Sequence, residues 1–227
     1  MDTKKALFVP APDGAVKRFD VPVGQYTTVL DALEWIRTKH EPDLVYRHSC
    51  HHGSCGTCGM LINGEPALSC TARLGELESE VEVNPLPATV HSAGLAVDPT
   101  PVHKTFPGER SYLRTAEKTA SARHKGTPVG EPPEEVGEFN RFEDCIECGL
   151  CIAACPVDTS FIGPAALAAY HRELEKDPDK TEAILNRVGE PDGVDACRRA
   201  LRCSAVCPTG VNPAKHIAVL KRKLQSR

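Results

Sequence analysis

The sequence predicts an α+β protein in two parts, a β-rich first half and a helical second half. Three observations carry that reading. Period-two patterns and turn signals dominate residues 1 to about 95. Helical spacing dominates from Phe142 onward. Eleven cysteines fall in three tight groups, one in the first part and two in the second.

In the first part, residues 4–9 and 16–21 read as strands, separated by the Pro/Gly turn at 10–14. Thr28-Val29-Leu30-Asp31 has the capping-box pattern, and Val29, Leu33 and Ile36 then recur at helical spacing. The single tryptophan, Trp35, lies on that helix as a core candidate. Residues 60–62 and 65–69 flank Asn63-Gly64, a pair suited to a type I′ hairpin turn. Val81 and Val83 alternate with acids, as in a half-buried strand.

Residues 98–138 are rich in proline and polar side chains and read as a linker with helical pieces around 112–123. Beyond it, residues 163–176, 181–188 and 213–223 have helical spacing. The last has Asn212 at the N-cap, Pro213 at the first helical position, and Ile217, Leu220 and Leu224 on one face. The expected division is therefore 1–97, 98–138 and 139–227.

Bulk properties exclude several classes. The longest apolar run is about six residues, Ala165 to Tyr170, against the roughly 20 needed to span a membrane. The first residues have neither a secretory apolar core nor Arg/Ser-rich transit character, so a soluble chain is expected in the compartment where it is made. A net charge of −4 does not suggest a nucleic-acid partner. An odd cysteine count, with many cysteines two or three residues apart, suits thiolates converging on metal better than disulfide staples.

The first group is Cys50-x4-Cys55-x2-Cys58-x11-Cys70. Its C-x4-C-x2-C order is that of plant-type 2Fe–2S ferredoxins. The glycines of the loop let the backbone pass close to a cluster and aim amides at sulfur. The hairpin spans the gap and returns Cys70 toward the others. A zinc knuckle is the structural alternative. His51 and His52 raise Rieske-type ligation, but four cysteines complete the set without them.

The second run, Cys145-x2-Cys148-x2-Cys151-x3-Cys155-Pro156, matches the bacterial ferredoxin pattern. In two-cluster ferredoxins the fourth cysteine of each run ligates the other cluster. By that rule Cys145, Cys148, Cys151 and Cys207 hold a 4Fe–4S cluster, and Cys155 joins Cys197 and Cys203. Ala200 stands where the last ligand of that centre would be. Three thiolates and a vacant corner point to 3Fe–4S. The alternative is a 4Fe–4S cluster whose last iron holds water or hydroxide. This assignment uses all eleven cysteines.

The order of these three ligand sets resembles the iron–sulfur subunit of succinate dehydrogenase and fumarate reductase, the respiratory complex II family. Arg47-His48-Ser49-Cys50, Cys55-Gly56-Thr57-Cys58-Gly59-Met60, Thr28-Val29-Leu30-Asp31-Ala32-Leu33 and Val211-Asn212-Pro213-Ala214-Lys215 carry the likeness, with Phe161-Ile162-Gly163-Pro164-Ala165-Ala166 fitting some bacterial branches. The resemblance covers nearly the whole chain. It implies a β-grasp plant-type ferredoxin domain followed by an all-helical domain like bacterial ferredoxin. It implies partners: a flavoprotein subunit with FAD, and a membrane anchor binding quinone and haem b. Electrons would run along FAD, 2Fe–2S, 4Fe–4S, 3Fe–4S and quinone, or the reverse, with no substrate chemistry on this chain. The implied location is the cytoplasmic face of a bacterial plasma membrane.

Two departures from the family pattern lie near the implied quinone site. After Cys155-Pro156 the chain runs Val157-Asp158-Thr159-Ser160-Phe161, without the family's tryptophans, and Arg198 replaces a histidine. Pro156 and Arg198 remain the candidates for the quinone vicinity. Arg198 and Arg199 otherwise read as a solvated basic turn. Lys215, Lys221, Arg222, Lys223 and Arg227 follow with no acid after Pro208. They suit either a helix C-terminus or an anionic membrane surface. The competing functions are a free-standing ferredoxin-like carrier, the iron–sulfur subunit of a flavoenzyme with another acceptor, and a structural zinc protein. Relatives serving other acceptors often carry Cys-Cys-Gly domains, and no two cysteines are adjacent here.

Overall fold

A computed structural model describes residues 3–11, 13–87, 90–100, 104–108, 145–157 and 161–227. The helical pieces expected around 112–123, most of the 98–138 linker, Phe142 and the stretch 158–160 lie outside the described residues. The chain divides into two compact units. Residues within Met1–Lys104 group with Ile146–Ala154, and the second unit draws on the remaining described residues.

The first unit is built on a five-stranded sheet. Strands β1 (Thr3–Pro10) and β2 (Val16–Val23) form an antiparallel hairpin. Helix α1 (Val29–Lys39) follows, then β3 (Gly59–Ile62), β4 (Glu65–Leu68) and β5 (Glu80–Asn84). The spatial order is β2-β1-β5-β3-β4, with β1 parallel to β5 and the other pairs antiparallel. Leu7, Val9, Val21, Val81 and Val83 project from the strands into one core, which Val29, Leu33 and Ile36 of α1 complete. Trp35 is half-buried against that core. Alternation is what allows this: every second strand residue faces the helix and its neighbours face away. A separate two-stranded ribbon, β6 (Val90–Ala93) and β7 (Ala96–Asp98), was not expected from the sequence.

Two local signals act as the sequence predicts. Thr28 caps α1: its hydroxyl accepts from the Asp31 N–H at 3.1 Å, and the Asp31 carboxylate accepts from the Thr28 N–H at 2.9 Å. Asn63 and Gly64 have φ of 49° and 79°, the two positive values a type I′ turn requires. The Asn63 side-chain oxygen Oδ1 also accepts from the Glu82 N–H at 2.8 Å, fastening the turn to β5.

The regular structure among the described residues of the second unit is helical. It comprises α3 (Pro164–Lys176), α4 (Thr181–Val188), the single turn α5 (Arg202–Ala205) and α6 (Pro213–Gln225). The short helix α2 (Leu150–Ala153) belongs to the first unit. Leu167 and Leu174 of α3, Ile184, Leu185 and Val188 of α4, and Ile217 and Leu220 of α6 make one buried cluster. Asn212 occupies the N-cap position of α6, but its side chain does not cap. Its backbone is left-handed at φ 55°, and its side-chain amide donates to Gly210 O instead. The cap comes from Ser204, whose hydroxyl accepts from the Ala214 N–H at 3.1 Å. No described helix is long and apolar enough to cross a membrane.

Candidate metal centre

Cys58 and Cys70 are positioned by the start of α1 and by the β3–β4 hairpin. The first amides of a helix have no partner within it. Here Leu30 N–H donates to Ser69 O at 3.0 Å and Val29 N–H to Ala72 O at 2.9 Å. Those two bonds hold the turn that carries Cys70. Ser69 N–H also bonds Cys58 O at 3.1 Å, so the hairpin closes with Cys70 brought beside Cys58.

The loop before them curls around Cys50. His51, Gly53 and Gly56 have φ of 61°, 79° and 71°, which turns successive amides inward. The Cys50 sulfur accepts from the N–H groups of Ser54 at 3.2 Å, Cys55 at 3.4 Å and His52 at 3.5 Å. These donors, His52 foremost, pull the Cys50 thiol down to about 6. Burial pushes Cys55 up, but the Thr57 hydroxyl, 3.1 Å from its sulfur, and the Thr57 amide reverse the balance and lower it. Cys70 is the opposite case: burial, then the Cys58 side chain, push it up to about 12. A loop that stabilises thiolates at Cys50 and Cys55 fits a metal–sulfur centre, because the thiolate is the form that binds metal. His48 Nδ1 lies 3.1 Å from His51 Nε2, and the His48 Nε2 lies 3.3 Å from Glu34 Oε1. The His52 ring contacts Cys50 O.

In the second unit, Cys155, Cys197 and Cys203 line one recess together with Pro156, Arg198, Ala200 and Ile217. Burial raises Cys203, and the Cys155 and Cys197 thiols add to the effect. Burial likewise raises Cys155. Pro156, Arg198, Arg199 and Ala200 are exposed. The turn is tight: Arg199 and Leu201, on either side of Ala200, have φ of 57° and 61°. Cys148 and Cys151 lie in the first unit, flanking Gly149, whose left-handed backbone starts α2. Cys145 and Cys207 lie in the second. The Cys207 sulfur is 3.7 Å from the Thr209 hydroxyl. Among the described residues, no three His, Cys, Asp or Glu side chains are grouped to hold a single metal ion.

Sequence reasoning missed Thr57, Thr209 and Ser204. A signal for the first two was present. Both sit in Cys-x-Thr, which places a hydroxyl two residues beyond the sulfur it reaches.

Sulfur-rich loops on a sheet domain, followed by cysteine runs among short helices, define the class of iron–sulfur proteins. Comparison with known proteins agrees. A model of the 2Fe-2S iron-sulfur cluster binding domain matches residues 8–104, and one of the 4Fe-4S dicluster domain matches residues 141–211. The fumarate reductase iron-sulfur subunit of Escherichia coli O6:H1 is 35% identical over 213 residues, covering 92% of this chain and 84% of that one. The succinate dehydrogenase iron-sulfur subunit of Coxiella burnetii is 33% identical, covering 90% and 87%. In fold, a chain of the Mycobacterium smegmatis Sdh1 complex in the apo form superposes with a TM-score of 0.77 at 24% identity, covering 100% of this chain and 98% of that one. The chain belongs to the family of fumarate reductase and succinate dehydrogenase iron–sulfur subunits.

Proposed function

We propose that this chain is the electron-transfer subunit of a succinate:quinone or quinol:fumarate oxidoreductase. It relays electrons between FAD on a flavoprotein subunit and quinone at a membrane anchor that also holds haem b. Cys50, Cys55, Cys58 and Cys70 hold the 2Fe–2S cluster. Cys145, Cys148, Cys151 and Cys207 hold the 4Fe–4S cluster. Cys155, Cys197 and Cys203 hold the 3Fe–4S cluster. The domains run 1–97 (β-grasp), 98–138 (linker) and 139–227 (helical), and the complex sits on the cytoplasmic face of the plasma membrane.

The observation that carries this reading is the recess that Cys155, Cys197, Cys203 and Ala200 line together. A methyl offers no lone pair to a fourth iron. When bound, the clusters supply one-electron transfer, and the chain's own residues set the hydrogen bonds and burial around each sulfur. Pro156 and Arg198, at the exposed rim of the recess, are the residues assigned to the quinone vicinity. Membership of the family and the loop that stabilises thiolates both support the assignment.

Electron paramagnetic resonance of the air-oxidised and dithionite-reduced holoprotein tests it. The expected result is a sharp oxidised-state signal that vanishes on reduction as a reduced 2Fe–2S signal appears. Absence of the sharp signal, with iron for two four-iron centres, would overturn the 3Fe–4S assignment. Purification without a flavoprotein partner would overturn the subunit role.

A further inference from the structure

We infer that Gly56 sets the spacing between the two-iron loop and the Cys148 turn, because position 56 has no room for a side chain. The inference rests on the ligand sets proposed above. Gly56 follows Cys55 directly and has φ of +71°. A Cβ there would lie 2.7 Å from Ile146 O, 2.9 Å from Cys148 Cβ and 3.0 Å from Cys148 Cα. All three are backbone atoms or the first side-chain atom, so no rotamer change clears them. Ordinary contact begins near 3.4 Å, so a methyl must push the two segments apart by several tenths of an ångström. Gly59, one residue past Cys58, makes a second and softer approach, with its Cβ position 3.3 Å from both Cys148 O and Leu150 Cδ2.

The closeness is not general to glycines of this unit. Gly64 has φ of +79° and nothing within 4 Å of its Cβ position. Gly53, in the same loop and with the same φ, meets only the methyl of Thr71 at 3.1 Å. Beside the Gly56 contact lies a cavity of about 210 Å³, lined by Arg47, Cys55 and Thr57 on one wall and by Glu147, Cys148 and Gly149 on the other. The two segments therefore meet at Gly56 and again, less tightly, at Gly59. Electron transfer and magnetic coupling both weaken steeply with distance. At Gly56 the residue adjoining Cys55 lies against Cys148 itself, so one ligand of each proposed set is tied to the other through a direct contact.

The test compares Gly56→Ala with Gly64→Ala in the full-length holoprotein. Gly64→Ala carries the same left-handed backbone penalty with open space around it. The readouts are iron and sulfide content and the microwave-power saturation of the reduced two-iron signal with the four-iron centre reduced. The expected result is near-normal iron with a two-iron signal that saturates at lower power in Gly56→Ala, and wild-type saturation in Gly64→Ala. Unchanged saturation in Gly56→Ala, or an equal change in Gly64→Ala, would overturn the inference. If Gly56→Ala loses its clusters, Gly59→Ala decides, since Gly59 has no left-handed strain. Its signal should saturate at slightly lower power, and wild-type behaviour would overturn the inference. Wild-type iron and sulfide too low for a four-iron centre beside the two-iron one would instead bring down the ligand assignment, and the inference with it.

Discussion

The Thr57 hydroxyl lies 3.1 Å from the Cys55 sulfur, the only side-chain oxygen bonded to a thiol of the two-iron loop among the described residues. A hydrogen bond to a cluster thiolate favours the reduced, more negative state and raises the potential. Thr57→Val keeps the shape and removes the donor. The expected outcome is a drop in the 2Fe–2S potential on the order of tens of millivolts, from a bond worth about 1 kcal/mol. Redox titration of the reduced signal measures it, and an unchanged potential would show that the hydroxyl does not donate to sulfur in the loaded protein.

Ala200 lines the three-thiol recess in a turn between two left-handed residues. On the proposed ligand set, Ala200→Cys supplies a fourth thiolate. Iron content should rise by about one atom per chain, and the sharp oxidised-state signal should fade. Persistence of that signal at unchanged iron would mean that position 200 does not face the vacant corner.

Ser204 caps α6 from ten residues away. Ser204→Ala should cost about 1 kcal/mol and lower the thermal midpoint by about 2–4 °C. A midpoint within error of wild type would show the Ala214 amide finding another acceptor.

His171 of α3 and His216 of α6 meet at 2.8 Å between their Nδ1 atoms, and both are buried. Burial first, then His216, Lys223 and Arg222, lower His171 to about 4 from an ordinary 6.5. Glu175 Oε1 is 3.6 Å from the Nε2, beyond hydrogen-bond reach. The folded state therefore resists a proton that the unfolded chain accepts below pH 6.5. Stability from this site is intact above that pH and is lost as pH falls toward 4, by about 3 kcal/mol at most. Thermal midpoints at pH 7.5 and pH 5 should separate less in His171→Gln than in wild type. Equal separation in both proteins would rule the site out as a source of acid sensitivity.

The capping box at Thr28 and the hairpin turn at Asn63-Gly64 were legible because each is settled by three or four neighbouring residues. The β6–β7 ribbon was not. Val90, His91 and Ser92 are all exposed, so no alternation betrays a strand there. The Asn212 cap failed for the complementary reason. A cap position can be read from local sequence, but which oxygen reaches the amide depends on the tertiary approach of α5.

Spacing sorts the cysteines into runs and marks Ala200 as a run position without a thiol, since spacing is a property of the chain. It carried no information on how the sulfurs of one set would differ. Cys50 receives three loop amides and sits near 6, whereas Cys70 is buried beside Cys58 and is pushed to about 12. That difference follows from folding. The amides arrive through left-handed turns, and the burial arrives through a turn tied to the start of a helix 40 residues earlier in the chain.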